Sequence, residues 1–163
     1  MEDGLPTYKD ALSLDFGSSE FPIEMGKIRE MSTALLDSSP CYRSDAKAKA
    51  DGLPGMPAPI TFPMCTALYQ DMATNPISKL MEMGIVARGY VVHGEQEFIW
   101  HRPVYAGENF TIKAKLTDAY QKEGGRGGLM TFYVADAEGI GADGKPAFVS
   151  RMLIIERTSA IKK

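Results

Sequence analysis

The sequence predicts an α+β protein, with helices in the first half of the chain and an antiparallel sheet in the second. Separate stretches between Glu24 and about residue 83 have the spacing or propensity of helices, and after Gly84 the apolar residues alternate with a period of two. The alternating stretches are joined by turns containing Gly or Pro, which favours a meander of about four strands. The 163 residues, of which 44% are hydrophobic, fit one domain with a buried core.

The N-terminal third begins with a polar segment and continues with two helical stretches. Residues 1–17 show no sustained period, so we expect a flexible arm there and a single folded domain over residues 18–163. From Glu24 to Leu36 the apolar residues recur at helical spacing, which predicts an amphipathic helix that ends just before Asp37. Residues 42–51 are rich in Ala and Lys and predict a short exposed helix.

The most apolar segment of the chain follows a proline-rich stretch over residues 53–59. From Ile60 to Met72 nearly every side is apolar, Thr61 can cap the N-terminus, and Pro63 is tolerated in a first turn. We therefore expect a buried helix over this segment. A second, shorter helix is expected to end near Met83.

Alternation of apolar and polar residues defines the predicted strands. Along residues 90–102 one alternate set is mostly apolar and the other contains His93, His101 and two glutamates, so we place both histidines on the polar face. The glycine-rich run over residues 124–128 lacks the Lys-Ser/Thr ending of a phosphate-binding loop, and we interpret it as a strand connection. The remaining strands are predicted over residues 110–120, 129–135 and 147–155.

Charge and residue counts bear on several classes of function. The net charge is -3, and there is no cluster of Lys and Arg interleaved with aromatic residues to favour a nucleic-acid partner. No apolar run approaches the roughly 18 residues of a membrane span, and the first residues lack a charged-then-apolar leader, so we expect a cytoplasmic protein. The two cysteines and two histidines show no metal-ligand spacing, and we expect neither a metal site nor a cofactor.

Several short runs point together to one family. They are Gly-Lys-Ile-Arg-Glu at 26–30, Ala-Pro-Ile-Thr-Phe at 58–62, His-Gly-Glu-Gln-Glu-Phe at 93–98, Trp-His-Arg-Pro-Val at 100–104 and Ala-Gly-Glu at 106–108. Together they resemble the dehydratase-like N-terminal domains of the MaoC superfamily, over roughly residues 20–157. The resemblance implies the hot-dog fold, in which an antiparallel sheet wraps a central buried helix.

An acid/base motif of this family, Asp-x-Asn-Pro-Leu-His, holds and deprotonates water in the (R)-specific enoyl-thioester hydratases. Residues 37–42 read Asp-Ser-Ser-Pro-Cys-Tyr, so the resemblance assigns Asp37 and Tyr42 to a degenerate form of that site. Tyrosine has an ordinary pKa of about 10, so its phenolate at neutral pH costs roughly 4 kcal/mol unless a cation is near. Either Tyr42 donates a hydrogen bond or acts as a weak acid, or it only fills the former site while Asp37 caps a loop.

A second departure from the family concerns the thioester carbonyl. Catalytic members place Ala-His-Gly before the central helix, and the backbone N–H of that Gly helps to polarise the carbonyl; the resemblance puts this Gly at Pro59. Proline has no N–H to donate, and losing one such donor removes about 3 kcal/mol of transition-state stabilisation. Met56, Thr61 and Met64 are expected beside Pro59 as substrate-binding residues, although ordinary core packing explains the methionines as well.

The resemblance implies a structural and substrate-binding subunit of a heteromeric (R)-specific enoyl-CoA or acyl-carrier hydratase/3-hydroxyacyl dehydratase. A MaoC-type hot-dog partner would supply the catalytic His in a heterodimer or heterotetramer, and the chain alone would be inactive. One alternative is a self-sufficient homodimeric hydratase that uses Asp37 with Tyr42, or with His93 or His101; otherwise these histidines are surface or interface residues. Another alternative is a non-enzymatic acyl-thioester binding module. A hot-dog thioesterase is disfavoured, because Asp71 is the only acid on the predicted central helix.

Overall fold

The computed structural model describes residues 7–71, 73–86, 91–124 and 128–157. Its α-helices are α1 (Met25–Ala34), α2 (Asp45–Ala50) and α3 (Pro76–Glu82), and 3-10 helices span Asp10–Ser13, Pro40–Tyr42 and Phe62–Leu68. The strands are β1 (Ser18–Pro22), β2 (Val91–Trp100), β3 (Asn109–Gly124), β4 (Gly128–Ile140) and β5 (Pro146–Arg157). The long strands follow the helices, as the change of period in the sequence predicts.

All five strands form one antiparallel sheet in the order β1-β3-β4-β5-β2. The α+β prediction is confirmed, with one strand more than the predicted meander, because β1 precedes the helices. Gly124 pairs with Gly128, so β3 and β4 form a hairpin. Residues 125–127 of the glycine-rich run, which was predicted to connect strands, lie outside the described residues. β2 ends the sheet, and β5 is its only strand partner among the described residues.

The sheet has an inner face, which packs on the helices and the core, and an outer face on the opposite side. Phe148 on the inner face of β5 belongs to the larger core cluster, with its ring centroid 5.5 Å from that of Phe110 and 5.6 Å from that of Trp100. Gly139 on β4 makes room for this ring, since a Cβ atom there would lie 2.3 Å from Phe148 Cζ. The aromatic cluster therefore supports the end of β2 at which Trp100 lies.

Part of the expected N-terminal arm belongs to the second core cluster. Ala11 and Phe16 are both buried there, together with Leu80 of α3. Residues 1–6 of the arm lie outside the described residues. The segment over residues 10–16 thus packs on the domain, although isolated apolar residues in a polar segment give no period from which a sequence pattern could predict it.

The buried helix expected from Ile60 to Met72 differs in type and in burial. The structure has a 3-10 helix over Phe62–Leu68, and the side chains of Ile60 and Leu68 are 72% and 71% exposed. Met72 lies outside the described residues. The prediction was wrong because a segment that is apolar on every side does not reveal which side the sheet covers, and here the described partners cover one side only.

A β-bulge in β2 changes the faces that alternation assigned. The pairing with β5 shifts between His93 and Glu95, which leaves Gly94 as an extra residue. His93 pairs with Ile154 and so shares the inner face with Trp100, whereas Glu95 remains on the outer face. The predicted polar-face position of His93 was therefore wrong, because a lone glycine inside a strand is a weak sign of a bulge.

Candidate functional site

A cavity of about 480 Å³ lies at the end of β2, and we call it the Tyr42 pocket. It brings together two residues that the sequence analysis singled out in separate segments, Tyr42 and His101. The residues that line it are Tyr42, Pro57, Ala58, Ile60, Trp100, His101, Arg102, Pro103 and Val104. Asp37 is not among them, so the pocket holds only one residue of the degenerate motif.

An ion pair fixes the wall of the pocket that follows β2. Arg102 Nη2 donates a hydrogen bond to Glu108 Oε2 at 2.6 Å, and the Tyr105 N–H donates to Oε1 at 2.7 Å. The hydrogen bond to Glu108 raises the pKa of Arg102, and the Arg102 Cζ atom lies 5.4 Å from the centre of the Phe110 ring. Glu108 and Phe110 thus both contact Arg102 and fix the turn over residues 101–108. We call this segment the clamped turn.

The opposite wall is the proline-rich stretch over residues 53–59. The Ala58 N–H donates a hydrogen bond to the Val104 carbonyl oxygen at 2.8 Å, and Trp100 Nε1 donates to the Ile60 carbonyl oxygen at 3.0 Å. These bonds hold the stretch against the clamped turn and leave apolar side chains towards the pocket. A segment without regular secondary structure is therefore fixed in place by its partners.

Pro59 is buried between two lining residues of the pocket, and its carbonyl oxygen accepts a hydrogen bond from the Phe62 N–H at 2.8 Å. Thr61 follows it, and the Thr61 hydroxyl oxygen is buried without a hydrogen-bond partner among the described residues. Pro59 precedes the first residue of the 3-10 helix by three positions, and the resemblance puts the carbonyl-polarising glycine at this proline. A proline N atom carries no hydrogen to donate there.

The other expected site residues lie away from the Tyr42 pocket. Met56 is fully buried in the core, whereas Met64 lines a narrow crevice between the 3-10 helix and the sheet. His93 is exposed, and its Nε2 atom lies 3.0 Å from the Glu95 carbonyl oxygen. The structure therefore does not bring His93 together with His101.

Asp37 lies in a turn that uses its carboxylate locally. α1 ends at Ala34 with Leu35 as its C-cap, and the next residue, Leu36, has a left-handed backbone with φ of 57°. The Asp37 N–H then donates to the Ser32 carbonyl oxygen at 2.8 Å. Asp37 Oδ1 then accepts hydrogen bonds from the hydroxyl of Ser39 at 2.6 Å and from its N–H at 2.9 Å. These bonds, led by that of the hydroxyl, hold the pKa of Asp37 below its usual range.

The cation next to Tyr42 in sequence does not favour its phenolate. Arg43 Nη2 donates to the Asp37 carbonyl oxygen at 2.7 Å, and Arg43 Nη1 donates to Thr33 Oγ1 at 3.1 Å, so the guanidinium braces the end of α1. Tyr42 is half-buried against the larger core cluster, and burial raises its pKa. Tyr42 is thus a neutral phenol at neutral pH, able to donate a hydrogen bond and unsuited to act as a base.

Sequence reasoning missed the roles of Ser39 and Glu108. The Asp-x-Ser spacing is typical of an Asx turn, so the bond between Asp37 and Ser39 had a local signal. The bond between Glu108 and Arg102 had no local signal, because Arg102 precedes Glu108 by six residues and reaches it only through the folded turn.

Two further features bear on the chemistry of the site. In the part of the chain that the structure describes, no three His, Cys, Asp or Glu side chains come together in a group that could hold a metal ion. Within the same residues, the helices are too short or too polar to cross a membrane.

Comparison with known proteins places residues 11–149 in a family described as FAS1-like, dehydratase domain region. A UPF0336 protein of Saccharopolyspora erythraea is 32% identical over 155 residues, which cover 91% of this chain and 94% of that protein. The match extends over nearly the whole of both sequences. It includes the degenerate motif, the proline-rich stretch and the clamped turn.

Two solved structures from Mycobacterium tuberculosis have a similar fold. A chain of the ChsH1-ChsH2 complex gives a TM-score of 0.71 at 22% identity, covering 95% of this chain and 91% of that one. A chain of the C-terminally truncated HadBC (3R-hydroxyacyl-ACP dehydratase) complex gives 0.65 at 20% identity, covering 83% and 89%. Other structures with this fold are described as MaoC-like dehydratases, and the hot-dog fold that the resemblance implied is confirmed.

Proposed function

We propose that this chain, which belongs to the FAS1-like dehydratase domain region family and has the MaoC-like hot-dog fold, is the substrate-binding subunit of a heteromeric hydratase or dehydratase. Its substrates would be (R)-specific enoyl-CoA or 3-hydroxyacyl thioesters, carried on CoA or on an acyl carrier protein. The catalytic His would come from a MaoC-type partner. The proposal keeps the cytoplasmic location expected from the sequence.

The condition of the acid/base pair carries this proposal. Hydration of an enoyl thioester needs a base that is unprotonated near neutral pH, and a histidine suits this role. At the end of the motif stands Tyr42, whose pKa burial raises, and the Asp37 carboxylate is oriented by Ser39 within its own turn. With Tyr42 at the end of the motif and Pro59 in place of a backbone donor, both positions lack their catalytic group, and the pocket around them offers a mainly apolar binding surface.

The free edge of β2 supports a hot-dog partner. Nine of the ten residues of this strand pair with β5 on one side, and among the described residues no strand pairs with the other side. An exposed edge of this length readily pairs with another chain. The two similar structures are each described as complexes of two named components, which supports a partner of the same fold.

The Tyr42 pocket supports an acyl-thioester ligand. Its volume of about 480 Å³ lies within the usual range for small-molecule sites, and most of its lining is apolar. The neutral phenol of Tyr42 can donate a hydrogen bond to an amide or thioester oxygen in the pocket. An apolar pocket with one or two directional donors suits a thioester with its acyl or pantetheine arm.

Hydration of crotonyl-CoA tests the proposal directly. The purified chain alone should give no rate above the uncatalysed reaction, and the chain purified with a MaoC-type subunit carrying an intact Asp and His should be active. Replacing that His by Ala should reduce the rate by about 10²–10⁴-fold. In the same complex, Asp37→Asn in this chain should change kcat by less than about threefold.

Tyr42→His provides a stringent control on the chain alone. This substitution restores the last residue of the motif, but it leaves Asp37 bonded to Ser39 and leaves Pro59 without an N–H. We therefore expect no hydration activity from Tyr42→His. A rapid rate from the unmodified chain, abolished by Asp37→Ala, would contradict the subunit proposal.

The pocket also supports a second candidate, a self-sufficient homodimeric hydratase, because His101 and Tyr42 line the same cavity. In this case His101→Ala should reduce the rate of the chain alone by at least about 10²-fold. His93→Ala is the matched control, since His93 does not line the pocket. Equal, small effects of both substitutions would remove this candidate.

A further inference from the structure

The outer face of the sheet combines an apolar area with charged edges. Across the four strands β2-β5-β4-β3, the pairing places Val92, Ile155, Phe132 and Tyr120 in one row. The Val92 side chain is 50% exposed, and the rings of Phe132 and Tyr120 are stacked with centroids 4.9 Å apart. A solvated outer face needs no such row, since antiparallel sheets that face water usually carry polar residues on that side.

A second row on this face carries charges of alternating sign. Glu97 pairs with Arg151, Arg151 with Asp136, and Asp136 with Lys115, so the signs across the sheet are negative, positive, negative, positive. Arg151 Nε and Nη2 donate to the two oxygens of Asp136 at 2.7 and 2.9 Å, and Arg151 Nη1 lies 3.3 Å from Glu97. We call these four residues the charge row.

The order of the charges selects a symmetry. If a second copy stacks face to face about a two-fold axis parallel to the strands, the lateral order of its strands is reversed. With the axis between β5 and β4, Glu97 of each copy faces Lys115 of the other, while the buried Asp136 stays bonded to Arg151 of its own chain. A two-fold axis that crosses the strands at this row would instead place Glu97 on Glu97 and Lys115 on Lys115, which like-charge repulsion disfavours.

We propose that the outer face is a self-complementary interface with a second copy of this chain, with the two-fold axis parallel to the strands. Sheets that pack face to face lie roughly 10 Å apart, a distance that long Lys, Arg and Glu side chains bridge. The same axis brings Val92 onto Tyr120 and Ile155 onto Phe132, beside the Lys122 ammonium that lies 5.0 and 5.6 Å from the two ring centres. Interfaces related by a two-fold axis need this kind of self-complementarity.

The size of the face is adequate for such an interface. Four strands at about 4.8 Å spacing and five rows of outward residues cover roughly 20 by 25 Å in plan. Because side chains project from the sheet, the accessible surface of this area is larger than its plan area and approaches the roughly 800 Å² per partner of a standard interface. The free edge of β2 is not used, so a catalytic partner there and a second copy on the outer face are compatible. The outer-face contact would join two such pairs into a tetramer.

One row opposes the association and provides an additional test. Glu95 and Asp118 lie at opposite ends of the row that contains Leu153 and Val134, so the same axis places Glu95 on Asp118. These like charges weaken the interface, and Glu95→Lys should strengthen it by about three- to tenfold. A face without a partner would show no such effect.

Cross-linking between two differently marked chains tests the contact. The full chain is purified with any subunit that accompanies it, as Glu97→Cys and as Lys115→Cys, each in a Cys41→Ser/Cys65→Ala background. The two are mixed and treated with a short bismaleimide. We expect covalent dimers in the mixture and few in either variant alone, because each cysteine faces the other position across the interface.

Two results would overturn the proposal. If sedimentation gives a mass that contains only one copy of this chain, alone or bound to its partner subunit, the interface does not exist. Glu97→Cys alone could also form covalent dimers. If mixing it with Lys115→Cys then gives no additional dimers, the copies pair through β2 or about the other axis.

Charge reversal separates the interface from damage to the fold. Lys115→Glu should weaken association of the copies by at least about tenfold, since two contacts become repulsive. Lys115→Glu/Glu97→Lys restores opposite signs across the interface and should return the dissociation constant to within about threefold of the original. Failure of the double variant to recover, in a protein with unchanged thermal stability, would exclude the charge row as the contact.

Discussion

Two carboxylates beside the Tyr42 pocket make similar hydrogen bonds and have different consequences. Glu108 accepts one bond from a side chain and one from a backbone N–H, at 2.6 and 2.7 Å, and Asp37 does the same at 2.6 and 2.9 Å. The partners of Glu108 are Arg102 and Tyr105, which lie on the other side of a turn. Both bonds to Asp37 come from Ser39, two residues further along.

This difference shows which wall of the pocket is built to hold its shape. Glu108 joins separate parts of the clamped turn to each other, so its bonds define where that wall lies. Asp37 stabilises its own turn, whereas Glu108, which does not line the pocket either, binds the lining residue Arg102. The ion pair of Glu108 fixes one wall, and the motif on the other side ends in Tyr42, a residue whose pKa is raised by burial.

The comparison predicts its largest effect for Glu108→Gln. This change keeps the shape of the side chain but removes the charge that Arg102 Nη2 contacts, and charge-assisted bonds of this kind contribute roughly 1.5–3 kcal/mol. Because both side chains are partly exposed, we expect a loss of about 1.5 kcal/mol in the free energy of unfolding. Urea denaturation monitored by the fluorescence of Trp100 measures it.

The control is a double-mutant cycle with Arg102→Met. If the ion pair acts as described, Glu108→Gln should cost much less when Arg102 is already absent. Additive losses would mean that the two residues stabilise the turn independently.

The fold was predictable where the pattern was regular, and less so where one residue changed it. The period change after Gly84 predicted the sheet correctly. Gly94 then shifted β2 by one residue and moved His93 to the inner face, which alternation alone cannot show. β1 was missed because five residues with one buried side chain give too short a pattern.

An intermediate effect of opposite sign is expected at Leu36, on the Asp37 side. Leu36 has a φ of 57° and is 91% exposed, so a left-handed backbone conformation is occupied by a residue whose side chain is barely buried. Leu36→Gly should stabilise the chain by about 0.5–1 kcal/mol, once the extra freedom of glycine in the unfolded chain is subtracted. Thermal unfolding of the chain alone measures this gain.

The matched control is Ala34→Gly, two residues earlier at the end of α1. There the backbone is helical, and the same glycine should destabilise by roughly 0.5–1 kcal/mol. If both substitutions destabilise, the Leu36 side chain makes a stabilising contact that its exposure conceals.

The candidate site was predictable only in its local parts. The motif over residues 37–42 marked a departure from the catalytic pattern, and an Asx turn at Asp37 follows from the spacing to Ser39. That Tyr42 and His101 line one pocket depends on the packing of the proline-rich stretch against the clamped turn, between segments far apart in sequence. No local pattern encodes such a meeting, because tertiary contacts decide it.

The smallest effect should come from Asp37→Asn, the counterpart of Glu108→Gln. The Asn Oδ1 atom can still accept both bonds from Ser39, since Asn forms Asx turns as readily as Asp.

The variant loses only the negative charge, and the effect of that loss on the free energy of unfolding depends on pH. Because the folded state holds the pKa of Asp37 below its ordinary value, the charged form stabilises the fold above about pH 4, and this contribution disappears as the pH falls through the lowered pKa. The difference in unfolding free energy between the chain and Asp37→Asn should therefore be small at pH 7 and should vanish at still lower pH. A large loss at pH 7, comparable with that of Glu108→Gln, would show that the Asp37 charge acts beyond its own turn and would return it to the candidates for catalysis.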